Sequence, residues 1–307
     1  MQPSDTPAIV HAVIVTFHPT EGLRGLVDAL LAQVDHIHVC DNTPASGQRI
    51  LTETVDPRVT VHAFGRNLGV AAALNHGIAK AHDQCTHVLL SDQDSLPLPG
   101  MVQQLLATCR EHCDRGVEVA VVGPDFVNDV DEAALRFQAV RQGRSWLYPH
   151  IRPTTTMPVI EVAAVITSGS LIPTLAFDRG GPFHEGMFID YVDIEWCERV
   201  RSKNMVCLAD GRAKMRHAMG DASLRYWLLH WRVISSYSPL RLYYQVRNAI
   251  FLARQPYVTR AYRSGAMLFV LRKVYVYAFF SDRRLASLRS MVQGVIDGMS
   301  GRLGPRA

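Results

Sequence analysis

Hydrophobic positions follow two alternating patterns over roughly the first 210 residues. Short runs rich in β-branched residues are typical of buried strands, and apolar residues three and four positions apart are typical of amphipathic helices. Strands are predicted over residues 8–17, 36–40, 59–64, 86–91, 117–122, 159–167 and 205–209. Helices are predicted over residues 23–34, 70–81 and 97–112, and again from about residue 194. Strands that alternate with helices indicate an α/β protein with a mostly parallel sheet.

The remainder of the chain has a helical pattern from Leu224 to about Met299. Its most apolar run, residues 266–280, contains Arg272 and Lys273 and is shorter than the roughly 20 apolar residues that a membrane span needs. It is therefore predicted to be an interfacial or a packed helix. We predict a sheet-containing domain over residues 1–220 and a basic, aromatic-rich helical region over residues 221–307.

Charge is distributed unevenly between these two parts. Residues 200–307 carry 19 Lys and Arg against 4 Asp and Glu, whereas residues 1–199 carry 13 against 24, so the net charges are +15 and −11. Basic residues interleaved with Trp and Tyr suit an anionic membrane surface. Nucleic acid is the competing partner. It is disfavoured because the acidic part would repel phosphate unless a metal ion intervened.

The cysteines and the first residues of the sequence indicate the cellular compartment in which the protein is expected. The six cysteines lack the paired spacing of a zinc site, which favours a reducing cytosol. No early apolar run follows a basic flank, so no secretory signal is expected. We therefore expect a cytoplasmic protein, with peripheral attachment to the inner face of the plasma membrane through its basic part.

Polar residues end three of the predicted strands, at residues 16–18, 41–42 and 92–94. Ligands of open α/β sheets bind at this carboxyl edge. Asp92 and Asp94 follow an apolar strand, and such a carboxylate pair suits Mg²⁺ or Mn²⁺ shared with a diphosphate. An ordinary polar turn is the alternative. The first strand is not followed by a Gly-x-Gly-x-x-Gly or a phosphate-binding Gly-Lys-Ser/Thr loop, which disfavours dehydrogenases and P-loop nucleotidases.

A second acidic cluster, Asp190, Asp193 and Glu195, lies where the later helix begins. One of these carboxylates is a candidate general base, and simple stabilisation of the helix N-terminus is the alternative. His217 is a candidate metal ligand or a structural residue.

Three further segments have both a functional and a structural interpretation. Residues 67–69 could present N–H groups to a diphosphate or cap a helix. Residues 168–170 could line an acceptor pocket or form a plain turn. Arg247 could pair with diphosphate or lipid phosphate, or lie on a solvated helix face.

Taken in order, these features resemble glycosyltransferase family 2, and within it the bacterial rhamnosyltransferases. The resemblance covers about residues 8–250. It rests on Thr16-Phe17, Asp41-Asn42, Asn67-Leu68-Gly69 with Asn75-His76-Gly77, Asp92-Gln93-Asp94-Ser95, residues 188–197, His217, and Tyr243-Tyr244 with Arg247-Asn248.

The resemblance implies a GT-A-type, Rossmann-like mixed sheet flanked by helices, with a C-terminal helical extension. It also implies an inverting, metal-dependent transfer of L-rhamnose from dTDP-rhamnose to a lipid-linked or surface polysaccharide. The nucleotide-binding residues that it implies are Thr16, Phe17, His18, Asp41, Asn42, Asn67, Gly69, Asn75 and Asp92.

The resemblance further implies Asp193 as the catalytic base. Val192 replaces the Glu that usually precedes this Asp, so the base stays open between Asp193 and its neighbours. Mg²⁺ or Mn²⁺ would be held by Asp92, Asp94 and His217. The implied acceptor-binding residues are Ser168, Gly169, Asp190 and Glu195, and Arg247 is the expected contact with membrane or phosphate.

Three alternatives stay open. The same fold could use a UDP-hexose donor. A sugar-1-phosphate nucleotidyltransferase would need a Gly-rich, basic loop after the first strand, and residues 16–19 are not one. The chain could also be a non-catalytic membrane-surface scaffold, although retention of the acidic pair, Asp193 and His217 together argues against that.

Overall fold

The computed structural model describes residues 7–47, 56–127, 137–140, 146–217 and 223–306. The chain divides into two compact units. The first consists of Met1–Val140, Pro149–Glu185 and Val192–Ala218, and the second of Arg141–Tyr148, Gly186–Tyr191 and Met219–Ala307.

The first unit is built on a sheet that has nine strands within the described ranges. The strands of this unit are β1 Val10–Thr16, β2 His36–Pro44, β3 Val59–Gly65, β4 His87–Asp92, β5 Ser95–Pro97, β6 Val119–Val127, β7 Phe137–Gln138, β8 His150–Ile151, β9 Val159–Val162, β10 Leu171–Pro173 and β11 Val206–His217. The order is β3-β2-β1-β4-β10-β6-β11-β5, with β9 also pairing with β11, while β7 and β8 form a separate ribbon.

The sheet is mixed. Strands β1 to β4 are parallel to one another, and β10 runs antiparallel between β4 and β6. The antiparallel direction of β10 follows from a tight turn just before it, in which Gly169 has a φ of +77° and the N–H of Ser170 bonds to the carbonyl of Thr167 at 3.1 Å. The predicted α/β architecture is confirmed, but the sequence pattern did not reveal β10 or the short strand β5, since both have only three residues.

Helices flank this sheet, as predicted. They are α1 Gly22–Leu31, α2 Val70–Ala81, α3 Met101–Asp114, α4 Thr174–Gly180 and α5 Val192–Arg201. Helix α1 buries Leu23, Leu26, Val27 and Leu30, the apolar positions of the amphipathic pattern. Helix α2 approaches the sheet so closely that a Cβ on Gly77 would overlap Val13.

Histidines line one face of the sheet across β1, β2 and β3. Nδ1 of His11 lies 3.3 Å from Nε2 of His38, and Nδ1 of His38 lies 3.2 Å from Nε2 of His62. The ring of His76 on α2 meets that of His62 edge-on. Burial, reinforced by His36 and the other neighbouring imidazoles, lowers the pKa of His38 from 6.5 to about 3. The row therefore stays neutral near pH 7.

The second unit contains helices α6 Pro239–Ala253, α7 Arg260–Phe279 and α8 Arg284–Ser300. Gly294 and Gly298 face α6 so closely that a Cβ on either would approach its main chain to 2.7 Å or less. The lack of side chains at these positions lets α8 pack directly against α6. Among the helices that the structure describes, none is both long and apolar enough to cross a bilayer.

The helical prediction was wrong for the start of this unit. Strands β12 Ser223–Leu228 and β13 His230–Ser235 form an antiparallel hairpin instead. Aromatic and β-branched residues favour strands, and Leu229 makes the turn with a φ of +63°. The sequence pattern predicts a helix for this segment because short apolar runs fit the periodicity of a helix as well as that of a strand.

Candidate active site

Polar strand ends meet at the carboxyl edge of the sheet in the first unit. Thr16 lies opposite Asp41 in the β1–β2 register, and Val15 lies opposite Asp92 in the β1–β4 register. The three strand ends singled out in the sequence are therefore neighbours in space. This is the edge at which open α/β sheets bind their ligands.

Asp41 is buried and braces two of these strand ends. Its Oδ1 accepts hydrogen bonds from the Thr16 hydroxyl at 2.9 Å and from the Thr43 hydroxyl and N–H at 2.6 and 3.0 Å. The same hydroxyl of Thr43 accepts a bond from the N–H of His18 at 2.9 Å. Asp41 therefore fixes the chain that leaves β1 at the rim where a nucleobase is predicted to lie.

Asn42, which is also buried, holds the loop before α2. Its amide donates to the Gly69 carbonyl at 3.2 Å, and its amide oxygen accepts from the N–H of Leu68 at 3.0 Å. Asn67 accepts from the N–H of Gly69 at 2.9 Å. Two N–H groups of this loop thus donate within the protein, and Gly69, with a φ of +87°, makes the turn into α2. In this conformation the N–H groups of Leu68 and Gly69 are used within the protein, and α2 begins without a side-chain cap.

Gln93, between the two candidate metal carboxylates, joins the acidic turn to the end of β1. Its side-chain oxygen accepts from the N–H of Phe17 at 2.8 Å, and its amide donates to the carbonyl of Phe17 at 3.2 Å. This paired contact fixes the acidic turn relative to Phe17, whose ring is 45% exposed at the rim of the site.

Asp92 is held by a serine relay. The hydroxyl of Ser168 donates to Oδ2 of Asp92 at 2.5 Å, and the hydroxyl of Ser95 donates to Ser168 at 3.1 Å. Both serines are buried, whereas Asp92 is half-buried and Asp94 is exposed. The acidic pair therefore has one carboxylate fixed by the protein and one that faces solvent.

Asp193 lies in the first turn of α5 and is also held by the main chain. Its Oδ1 accepts from the N–H of Ile194 at 2.8 Å and its Oδ2 from the N–H of Thr167 at 3.2 Å. It lines a small cavity together with Phe183 and Trp196. A negative charge in this position is also favoured by the helix dipole.

The turn before β10 joins the two acidic groups. Thr167 binds Asp193 through its N–H, and the next residue, Ser168, binds Asp92 through its hydroxyl. Gly169 closes the turn, since its N–H donates to the carbonyl of Leu90 at 2.8 Å. Two carboxylates that are 101 positions apart in the sequence are thus held by consecutive residues of one buried turn.

The donor set fits a hard divalent cation shared with a ligand. Two carboxylates, separated by one residue, lie at the end of β4 and in the turn that follows, and carboxylate oxygens are preferred by Mg²⁺ and Mn²⁺. Among the described side chains, no group of three or more His, Cys, Asp or Glu residues forms a complete cage. The main chain of His217 lies opposite Ser95 at the end of β11, and its side chain lies outside the described part of the chain.

Asn75 and Glu195 have packing roles in the first unit. The amide of Asn75 binds both the carbonyl and the N–H of Phe183, each at 2.9 Å, and so pins the loop after α4. Glu195 is 1% exposed, and both its oxygens pair with Arg199 at 2.7 and 2.9 Å. The structure therefore does not bring Glu195 to an accessible surface where an acceptor could reach it.

Two other predicted site residues belong to the second unit. Asp190 pairs there with Arg241 at 3.2 Å. Arg247 is 1% exposed and donates to the carbonyls of Gly186 and Met187 at 3.2 and 2.9 Å. The predicted contact of Arg247 with membrane or phosphate is thus corrected, as is the solvated alternative, because its guanidinium is enclosed by main-chain carbonyls and tyrosine rings.

Three braces of the site were not identified from the sequence: Gln93, Thr43 and Thr167. Only Gln93 carried a signal, since it stands between the two acidic residues of the motif. The other two act through a main-chain N–H or a hydroxyl, and such groups leave no pattern along the chain.

The fold is that of GT-A-like glycosyltransferases. The mannosyltransferase PcManGT from Pyrobaculum calidifontis, solved with GDP-Man and Mn²⁺, matches 98% of this chain and 91% of its own with a TM-score of 0.56 at 10% identity. GalNAc-T7, solved with UDP, GalNAc and Mn²⁺, matches 85% of this chain with a TM-score of 0.56 at 15% identity. This chain spans only 55% of the GalNAc-T7 chain.

Sequence comparisons agree with this class. The dTDP-rhamnosyl transferase RfbF of Shigella flexneri is 27% identical over 298 residues, which cover 96% of this chain and 97% of that protein. The family model for glycosyl transferase family 2 matches residues 12–166, about half of the chain. The chain therefore belongs to glycosyl transferase family 2, and the predicted family and enzyme class are confirmed.

Proposed function

We propose that this glycosyltransferase transfers L-rhamnose from dTDP-rhamnose with inversion at the anomeric carbon. The similarity to the dTDP-rhamnosyl transferase RfbF extends over nearly the whole of both chains, which supports the donor. The observation that carries the chemistry is the Thr167–Ser168 turn, which holds Asp92 and Asp193 through adjacent residues. Transfer needs both a diphosphate site and a base in a fixed relation to each other.

Asp193 is proposed as the base. The acceptor hydroxyl oxygen forms its bond to the anomeric carbon while the bond from that carbon to the diphosphate oxygen breaks, and the hydroxyl proton passes to Asp193. Attack opposite the leaving group inverts the anomeric centre. Such proton transfer contributes about 10²–10⁴-fold to the rate. The two N–H groups bound to Asp193 hold its carboxylate in place before the acceptor arrives.

Asp94, Asp92 and His217 are proposed to hold Mg²⁺ or Mn²⁺ together with the donor diphosphate. When bound, the cation supplies Lewis-acid stabilisation of the charge that develops on the leaving diphosphate. The hydrogen bond from Ser168 keeps Asp92 oriented. Asp41, Asn42 and the chain around Phe17 are proposed to form the nucleoside end of the same cleft.

The proposed acceptor is a lipid-linked or surface glycan at the cytoplasmic face of an anionic membrane. The excess of basic over acidic residues in the C-terminal part supports this location. Ser168 and Gly169 are proposed to act by positioning Asp92 rather than by touching the acceptor, because both are buried in the turn before β10. A UDP-hexose donor in the same fold is the second candidate, because the fold by itself does not select the nucleotide.

The test is donor binding and slow donor hydrolysis with Mg²⁺ or Mn²⁺, comparing dTDP-rhamnose with UDP-glucose and UDP-galactose. A metal-dependent preference for dTDP-rhamnose of at least tenfold is expected. A preference for a UDP sugar would refute the rhamnose assignment and leave the family unchanged. Failure to bind any of the three donors in the presence of metal would favour the scaffold alternative.

A further inference from the structure

The hairpin of the second unit presents an apolar face to solvent. In its register, Trp227 pairs with Trp231 and Arg225 pairs with Val233, so these four side chains share one face. Trp227, Trp231 and Val233 are 49%, 59% and 62% exposed. An antiparallel sheet that is packed on one side usually has polar residues on the other. In this hairpin two Trp and one Val stand on the exposed face, beside Arg225 and the Ser223–Ser235 pair.

The other face of the hairpin is anchored to the helices. Tyr226 is 2% exposed and its ring meets that of Phe280 at the end of α7. The hydroxyl of Tyr275 donates to the main-chain carbonyl of Trp227 at 2.8 Å. The hairpin is therefore fixed to α7 by one face. Its outer face is therefore exposed to solvent while the hairpin is packed in the folded unit.

Leu229 at the tip of the hairpin is 84% exposed. Its positive φ of +63° is unusual for a leucine, and an asparagine or glycine would satisfy this turn better. A large apolar side chain thus occupies a strained, solvent-exposed position where the turn itself favours a polar residue. Backbone strain of this kind persists where the surrounding structure or a function requires it.

The segment that carries this face is basic. Residues 223–281 contain nine Lys and Arg and no Asp or Glu, although Arg247 and Lys273 are buried and Arg241 pairs with Asp190. Arg225 lies over the ring of Trp231 at 5.5 Å, so an exposed cation stands beside the apolar surface. Trp and Arg together are typical of the membrane–water interface, where rings enter the headgroup layer and cations meet anionic lipids.

We propose that the outer face of this hairpin inserts into the interface of an anionic membrane. Leu229 enters deepest, Trp227 and Trp231 lie at the level of the headgroups, and Arg225 pairs with lipid phosphate. The proposal deepens the proposed use of a lipid-linked acceptor. Vesicle binding tests it without donor or acceptor, so its failure is distinguishable from failure of the proposed reaction.

The experiment is flotation of the full chain with vesicles of phosphatidylcholine alone or with phosphatidylglycerol added. Leu229→Asn is the main variant, because asparagine suits the turn and the fold is expected to survive. Leu285→Asn on α8 is the matched control, since Leu285 is also 84% exposed. A Trp227→Ser/Trp231→Ser double variant tests the contribution of the same face independently.

We expect partition into the anionic vesicles to exceed that into neutral vesicles at least tenfold, and to weaken as salt is raised. Leu229→Asn should reduce it about tenfold and the double Trp variant by more, whereas Leu285→Asn should change it less than twofold. Donor hydrolysis in solution should be unchanged by Leu229→Asn.

Three results would overturn the proposal. One is the absence of flotation, and another is an equal loss for Leu229→Asn and Leu285→Asn. The third is a lipid-free dimer that Leu229→Asn dissociates, because a second copy of the chain would then cover the face. Tight binding of nucleic acid through the same Trp residues, without binding to vesicles, would also refute the proposal, because no flotation would then be seen.

Discussion

Replacing Asp193 by asparagine removes the proposed base with the smallest change in shape. We expect turnover to fall by about 10²–10⁴-fold, the contribution of a positioned general base. Affinity for dTDP-rhamnose should stay within about threefold, since an amide of the same shape neither takes the proton nor changes the acidic turn that is proposed to bind the diphosphate.

The structure also sets the expected cost in stability. Both oxygens of Asp193 accept a main-chain N–H, from Ile194 at 2.8 Å and from Thr167 at 3.2 Å. An asparagine has one acceptor oxygen, so one N–H group loses its partner, at a cost of about 1–3 kcal/mol. For a folding unit of about 150–250 residues, such as the first unit, that corresponds to a decrease of roughly 2–4 °C in the unfolding temperature for each kcal/mol. The variant should therefore remain folded at 20 °C.

The assay measures donor binding by calorimetry and transfer to acceptor under single-turnover conditions, both at 20 °C. Asp178→Asn is the matched control, because Asp178 is an exposed carboxylate of α4 that pairs with His82. It should leave binding and turnover unchanged. Equal losses of donor affinity and turnover in Asp193→Asn would identify Asp193 as structural, and unchanged turnover would refute its role as base.

Three other substitutions test the braces and the packing. Ser168→Ala should lower metal-dependent turnover about tenfold, because it removes the hydrogen bond that orients the candidate metal ligand Asp92. Ser170→Ala is the control: in the described contacts the Ser170 hydroxyl bonds only the Ile166 carbonyl, so its loss should lower stability without lowering turnover. Kinetics and thermal unfolding of both variants measure the difference. Gly77→Ala should lower the unfolding free energy by about 1–3 kcal/mol, because the new Cβ would overlap Val13 of β1. Gly25→Ala is the control and should be neutral or slightly stabilising, because the space around Gly25 is open. Denaturant unfolding measures both variants. The pKa of His38 is about 3 in the folded protein and about 6.5 in the unfolded chain, so the unfolded chain takes up the proton first as the pH falls. The free energy of unfolding should therefore decrease as the pH drops from about 6.5 toward 3. Denaturant titrations should show a less steep decrease for His38→Gln.

Part of the site could be predicted from the sequence because its chemistry is local. Asp92 and Asp94 follow an apolar strand, and a parallel strand of an α/β protein delivers its end to the ligand-binding edge. The same reasoning applies to Asp41 and Asn42. The register confirms that these ends are neighbours, since Thr16 lies opposite Asp41 and Val15 opposite Asp92.

Predictions that depended on burial were less reliable. Glu195 is predicted as a ligand contact from its place in an acidic cluster at a helix start, and Arg247 from the charge that could pair with phosphate. Both are enclosed and paired, Arg247 with main-chain carbonyls and Glu195 with Arg199. A pairing of this kind is decided by which segments pack around the side chain, and no spacing along the chain records it.

The sequence by itself determined the alternation of strands and helices, the family resemblance and the acidic pair at a strand end, because hydrophobic period and local motif act over a few residues. Only the tertiary structure decided that residues 223–235 form a hairpin with an exposed apolar face. It also decided that one turn, Thr167–Ser168, holds both Asp92 and Asp193. These features arise from contacts between distant segments, and such contacts depend on strand direction, register and close packing rather than on the order of residues along the chain.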